Sequence, residues 1–299
     1  MRITRMPELP EVETTRATLA QRVAGARIVG ARLGKPLRWP FNIDASTLRG
    51  QRIGNVRRRG KYLWFELHDE RDTAPLPDAR DATRERDIRH RGGLLVHLGM
   101  SGSLAWVEAS AQPDRHDHFD LVTERGTLRL TDPRRFGAVL WSPSLDDEPA
   151  AALLASLGPE PFDDALDAAT FHASLHRHRS AVKAVLLSGK AIVGAGNIYA
   201  CEALFAAGID PRTRADRISR PRAARLLDAV RGVLARAIDA GGTTLRDYRN
   251  ADGDAGRFQN EATVYGREGL PCLVCTTPIK RVVTGQRATY FCVRCQRRS

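Results

Sequence analysis

No run of ~18 apolar residues occurs anywhere in this sequence, which excludes a membrane-spanning helix as an expectation. Residues 1–20 lack the apolar segment of a secretory signal, and this points to the cytosol. Cysteine is sparse. There are five, four of them in CxxC pairs, a usage that fits a reducing compartment better than a disulfide scaffold. No internal repeat is present. Lysine is scarce as well: of 47 basic residues only Lys35, Lys61, Lys183, Lys190 and Lys280 are lysines, leaving 42 arginines.

What is present is arginine and positive charge. The net charge is +12 over 299 residues. A basic excess of this size points to a polyanion partner, and the planar arginine fork suits phosphate. The bland reading is solvated surface charge supplied by an arginine-rich genome. Length suggests two or three domains, and 42% hydrophobic residues leave ample chain for a core.

Along the chain, "LPEVETTRATLAQRVAG" reads as a helix. Pro10 sits in its first turn, Glu11 and Glu13 favour its positive end, and Gly25 stops it. Val12, Leu19 and Val23 share one face. "ARIVGARL", "RIGNVRRR", "GKYLWFEL" and "GGLLVHLGMSGSLAWV" carry strand patterns, with Leu63, Phe65 and Leu67 alternating with Tyr62, Trp64 and Glu66. "HFDLVTERGTLRLTDPRRFGAVLWS" predicts a hairpin turning near Arg125-Gly126. The polar, aperiodic stretch 68–93 predicts a surface insert. From about 150 the pattern is helical, and the last 38 residues form a small β-type module with four cysteines.

Cys272-x2-Cys275 and Cys292-x2-Cys295 have 16 residues between them. Four thiolates at this spacing suit a closed, structural Zn²⁺ site that supplies folding energy to a module too small for its own core. Cys201 is left over as a buried thiol. "KAIVGAGNIYACEALF" fails as a dinucleotide fingerprint, because the third glycine is missing. It reads either as helix N-terminal amides able to hold a phosphate or as a plain cap by Asn197. "HLGMSGS" and "TDPRRFG" place Met100 and Phe136 either as a wedge beside cations or as ordinary core. Between the cysteine pairs, Arg281 and Arg287 lie on a basic hairpin.

Taken in order, "MPELPEVET", "GKYLWFEL", "HLGMSGSL", "HDHFDLV", "TDPRRFGA", "LGPEP", "VGAGNIYACEALFAAGI", "GGTTLRDY", "VYGREG" and "QRATYFC" closely resemble bacterial formamidopyrimidine-DNA glycosylases of the Fpg/Nei superfamily. The resemblance runs from Pro7 to Cys295. It implies an α+β multidomain fold: an N-terminal β-sandwich flanked by helices over 7–145, a helix-two-turn-helix domain over 150–260 and a C-terminal β-hairpin zinc finger over 263–299, with DNA in the cleft between. The implied activity is excision of oxidised purines, 8-oxoguanine and formamidopyrimidines, from duplex DNA by a monomer with one structural zinc, followed by β,δ-elimination.

By the same resemblance Pro7 is the nucleophile, Glu8 the acid at the sugar ring oxygen, Lys61 the lysine of β-elimination and Arg287 the arginine of δ-elimination. Met100, Arg134 and Phe136 match the set that fills the hole of an everted base. His116, Arg134, Arg135, Lys183 and Asn197 match DNA contacts, with His178 and Arg179 in a basic run that is lysine-rich in the family. Residues 246–262 match the loop over the extruded base. A Pro7 nucleophile requires that translation start at Met6 and that Met be removed, because a proline nitrogen in a peptide bond has no usable lone pair. Two other readings stand: an endonuclease VIII-type enzyme for oxidised pyrimidines, against which "PELPEVE" and the Met-Arg-Phe set speak, and a non-enzymatic zinc-finger DNA-binding protein, which has no need of Glu8 or Lys61.

Overall fold

The computed structural model describes residues 7–69, 90–243 and 256–298. These fall into two units. The first takes Pro7 and the described part of Val12–Ala155; the second takes Glu8–Glu11, 156–243 and 256–298.

The first unit is two antiparallel four-stranded sheets. Strands β1 (Ile28–Leu33), β6 (Asp117–Thr123), β7 (Gly126–Thr131) and β5 (Ser103–Val107) form one in the order β1-β6-β7-β5; β2 (Arg52–Arg59), β3 (Tyr62–His68), β4 (His90–His97) and β8 (Ala138–Ser142) form the other in the order β2-β3-β4-β8. The period-two pattern of β3 has the expected consequence. Leu63, Phe65 and Leu67 are fully buried in the core, where Val12, Leu19 and Val23 of helix α1 (Leu9–Val23) also pack. The opposite face is covered too: Trp64 packs with Leu95 and with Ala150 of the short α2 (Ala150–Leu154). The hairpin turns at Glu124-Arg125, between β6 and β7, and Gly126 has φ +156°.

The expected insert is corrected at both ends. His68 belongs to β3, and 90–93 form the start of β4, where His68 pairs with His90 and Gly93 with Ser142. "HRGG" carries no apolar alternation because a tryptophan occupies the space. A Cβ on Gly93 would stand 2.4 Å from Trp64 Cζ2. Residues 70–89 lie outside the described residues.

The second unit is helical. It holds α3 (Ala168–His176), α4 (Val182–Ser188), α5 (Asn197–Ala206) and α6 (Arg220–Asp239). In α6, Ala223, Leu226, Leu227, Val230, Val233, Leu234 and Ala237 are buried, an i, i+3, i+4 stripe, while its arginines lie outside that stripe. Leu9, Phe171, Tyr199, Phe258 and Val264 join the same core. The hairpin β9 (Lys280–Thr284) and β10 (Arg287–Phe291) turns at Gly285 and Gln286, both with positive φ (55° and 59°), the geometry of a two-residue hairpin loop.

Candidate active site and zinc centre

The N-terminus of α5 answers the question left open by "GAGN". The helix begins at Asn197, with Gly196 as its cap and no side-chain cap bond, so the plain Asn197 cap is not what the chain forms. The amide of Asn197 instead donates to Glu8 Oε1 at 2.7 Å. An anion does sit on the helix terminus, and it is a carboxylate of the chain itself. The seat requires glycine. A Cβ at position 196 would fall 1.7 Å from Glu8 Cδ, and one at Gly194, where φ is +84°, would strike Leu9 Cδ1 at 2.3 Å. Glu8 is 8% exposed.

The same helix start secures the β9–β10 hairpin. Asn197 Nδ2 donates to Tyr265 Oη and to Ala288 O, each at 3.1 Å. Lys183, expected as a DNA contact, sits on α4 with its ammonium turned toward the hairpin. It is 4% exposed, and its Nζ donates to Ala288 O at 3.0 Å and Thr289 Oγ1 at 2.7 Å. Burial lowers its pKa; the Cys201 thiol and Glu8 oppose that shift and Arg287 adds to it. Arg287, the residue before Ala288, is exposed at the hairpin start. Glu202 anchors the approach to the hairpin. Its buried carboxylate accepts the amides of Thr263, Val264 and Tyr265 at 2.9, 3.0 and 2.7 Å.

In the first unit, one buried side chain that the sequence reading passed over organises two loops. Asp132 is fully buried. Its carboxylate accepts Ser101 Oγ at 2.6 Å and Gly137 N at 2.7 Å, while its own amide donates to His116 O. The Met100 loop and the 133–137 loop therefore share one anion. They also touch through backbone, since a Cβ on Gly99 would lie 2.4 Å from Gly137 N. Phe136 is 41% exposed and Met100 half-buried, which removes the core reading of both. Arg134 lies over the Phe136 ring at 5.0 Å, and Arg134 and Arg135 are exposed. "TDP" was the available signal: an Asp ahead of a turn bonds nearby amides.

Lys61 follows Gly60 (φ +59°) at the β2–β3 turn. Close to it is His97, which the sequence reading also missed. His97 stacks on Tyr62 with centroids 4.7 Å apart, and its Nδ1 accepts the Gly99 amide at 3.1 Å. Burial pushes its pKa from 6.5 down to about 4, with Lys61 and Arg38 adding to the shift and Asp132 opposing it. The neutral ring with Nδ1 as acceptor fixes the start of the Met100 loop. His116 and His178 are half-buried and Arg179 is exposed. Of the loop expected at 246–262, residues 246–255 lie outside the described residues; Phe258–Glu261 form a 3-10 turn with Phe258 buried.

The four cysteine sulfurs lie within 4.8 Å of one another, with Cys275–Cys292 at 3.4 Å and Cys272–Cys295 at 3.9 Å. Tetrahedral Zn–S bonds of ~2.3 Å require sulfurs about 3.8 Å apart, so this donor set fits zinc. Four thiolates leave no open position. The ion is structural, and what it supplies is folding energy for the hairpin module.

Comparison with known proteins bears on both units. Family models match in sequence: the formamidopyrimidine-DNA glycosylase N-terminal domain over residues 6–139, its H2TH domain over 157–249, and a zinc finger found in FPG and IleRS over 269–298. A formamidopyrimidine-DNA glycosylase of Variovorax paradoxus is 55% identical over 98% of this chain and all of its own length. The chain belongs to the formamidopyrimidine-DNA glycosylase family. It is a DNA glycosylase of that family, and a relative from Polaromonas naphthalenivorans is 52% identical over the same share. The MutM (FPG) protein of Thermus thermophilus superposes with a TM-score of 0.81 at 39% identity, covering 97% of this chain and 98% of that one. A Lactococcus lactis FPG mutant in complex with Fapy-dG-containing DNA gives 0.83 at 30% identity, over 97% of this chain and 100% of that one. No helix among the described residues is long and apolar enough to cross a membrane.

Asp132→Ala leaves buried donors on two loops without an acceptor. It is expected to lower the unfolding free energy by about 2–4 kcal/mol in urea denaturation; an unchanged midpoint would show that the loops hold without it. For His97 the depressed pKa sets the sign. Its neutral form stabilises the fold fully above pH 6.5, and that contribution is lost as pH falls toward about 4. The stability gap between wild type and His97→Gln should therefore shrink from about pH 7 to about pH 4.5. A gap independent of pH contradicts a neutral ring.

Proposed function

We propose that this chain is a bifunctional DNA glycosylase and AP lyase that excises oxidised purines, 8-oxoguanine and formamidopyrimidines, from double-stranded DNA. The observation that carries the reading is the seat of Glu8: the carboxylate of the residue next to Pro7, held on the α5 N-terminus by an amide 2.7 Å away, in a space only glycine leaves open. In the chain beginning at Pro7 the secondary amine attacks C1′ of the damaged nucleotide. The C1′–N9 bond breaks, the base leaves with its electron pair and is protonated, and Glu8 delivers a proton to the ring oxygen as the sugar opens. The resulting iminium is an electron sink. Lys61 assists β-elimination of the 3′ phosphate, and Arg287 grips phosphate through δ-elimination. An α-amino group has a pKa of ~8 against ~10.4 for lysine, so far more of it is neutral at physiological pH. The family model begins at residue 6, which supports Met6 as the residue removed to free Pro7.

Met100, Arg134 and Phe136 fill the space of the everted base, with the Arg134–Phe136 stack as the exposed wedge. His116, Arg135, His178 and Arg179 contact phosphates, while Asn197 and Lys183 hold the hairpin that presents Arg287. The enzyme acts as a monomer in the bacterial cytosol, where its cysteines stay reduced for zinc. The Lactococcus proteins support the DNA partner, one in a complex with Fapy-dG-containing DNA and another with DNA containing an abasic site.

The test uses two chains, one beginning at Met1 and one at Pro7, each verified by intact mass and mixed with borohydride and a duplex containing 8-oxoguanine. Only the chain beginning at Pro7 should form a covalent adduct. Equal trapping by the chain that retains Met1 would make another amine the nucleophile, with Lys61 the first candidate.

A further inference from the structure

Glu11 stands outside the chemistry just described, yet its carboxylate is buried and accepts from three groups. It is 3% exposed. Oε2 accepts the backbone amide of Glu8 at 2.8 Å. Oε1 accepts the Tyr199 hydroxyl at 2.5 Å and the Thr243 amide at 2.7 Å, and Tyr199 Oη lies 3.0 Å from Thr243 Oγ1. Burial first, then the charges of Glu11 and Glu8, hold the Tyr199 pKa well above the usual phenol range, so its hydroxyl is always a donor here. Gly242 is shaped to the same carboxylate: φ is +81°, and a Cβ there would press on Glu11 Cγ at 3.1 Å.

We propose that Glu11 is a positioning residue for the imine-forming amine, holding the peptide plane between Pro7 and Glu8 and tying it through Tyr199 and Thr243 to the end of α6. The Glu8 N–H is the hydrogen of that very peptide. A peptide unit is planar, so fixing the direction of its N–H fixes Pro7 Cα as well. One rotatable bond, ψ of Pro7, then remains between the fixed plane and the amine nitrogen. The Glu8 side chain is pinned independently at Asn197. Amine and acid are thus held by two separate anchors, a condition that in-line attack on C1′ imposes because small misplacements cost large factors in rate. A helix-capping carboxylate at this position needs only the Glu8 amide. The bonds to Tyr199 and Thr243 go beyond capping and make the carboxylate a junction.

This role rests on the reading of Pro7 as nucleophile. The experiment measures, in chains beginning at Pro7, the single-turnover rate of borohydride trapping on an 8-oxoguanine duplex, the affinity for a duplex containing a tetrahydrofuran abasic analogue, and thermal melting. The variants are Glu11→Gln, Tyr199→Phe and, as a control, Glu13→Gln, whose partners are Arg16 and Arg58. Glutamine offers one acceptor where two backbone amides need acceptors on opposite oxygens. Glu11→Gln should trap about 10- to 100-fold more slowly while keeping its affinity for the analogue. Tyr199→Phe leaves the Glu8 bond in place and should slow trapping by about 3- to 10-fold; it carries the test if Glu11→Gln does not fold. Glu13→Gln should trap at the parental rate. Trapping by Glu11→Gln at the parental rate, or a loss that only follows affinity or melting, overturns the positioning role. A parental chain that does not trap at all overturns the Pro7 reading, and the positioning role with it.

Discussion

The seating of the Glu8 carboxylate on the N-terminus of α5 is the contact on which the proposed chemistry depends. A helix begins with amides that have no intrahelical partner and with the positive end of its dipole. Gly196 leaves that end open to an approach no other residue allows, and Leu9, one residue beyond Glu8, is buried in the helical core and locks the segment in place. From there α5 acts as a distributing rod. Asn197 reaches the hairpin and Tyr265, Tyr199 reaches Glu11 and Thr243, and Glu202 reaches the amides that lead toward the cysteines. Three side chains within six residues point in three directions because a helix turns about 100° per residue.

The same device recurs. Asp132 in the first unit and Glu11 and Glu202 in the second are all at or below 3% exposed, and each accepts backbone amides rather than an arginine. Taking a carboxylate out of water is costly unless hydrogen bonds to its charged form offset the loss. Backbone donors do this without a long side chain whose entropy must be lost, and they define direction. Each of these anions joins segments far apart in sequence: the Met100 loop to the 133–137 loop, the N-terminus to the end of α6, α5 to 263–265. The residues proposed to fill the void and the proposed acid are therefore positioned by charges that never meet solvent.

Much of this was legible in the residues. The cysteine spacing predicted the zinc site, the alternation of Leu63, Phe65 and Leu67 predicted the buried face of β3, and the α1 stripe predicted its packing. What the residues did not reveal has physical reasons. "HRGG" looks like loop because its glycines accommodate tryptophans, Gly92 beside Trp141 and Gly93 beside Trp64, rather than carry a pattern of their own. At Asn197 the residue type left a plain cap and an anion seat open alike, and what decides between them is a carboxylate 189 positions away in sequence. Lys183 was expected as a DNA contact from the resemblance; its inward bonds to 288 and 289 depend on tertiary structure alone. Glu11 was read as a helix-start carboxylate, which it is, but spacing carries no trace of Tyr199 and Thr243.

The most direct measurement is the activity of Gly196→Ala. Residue 196 has φ −76°, so alanine introduces no backbone strain, and the atoms its methyl would meet are the mobile end of Glu8. The fold, the zinc content and binding to an abasic-analogue duplex should survive, while excision of 8-oxoguanine falls by about 100-fold or more, as the proposed general-acid role of Glu8 requires. Excision at the wild-type rate by a folded Gly196→Ala protein would mean that the seat of Glu8 is not what makes this site work.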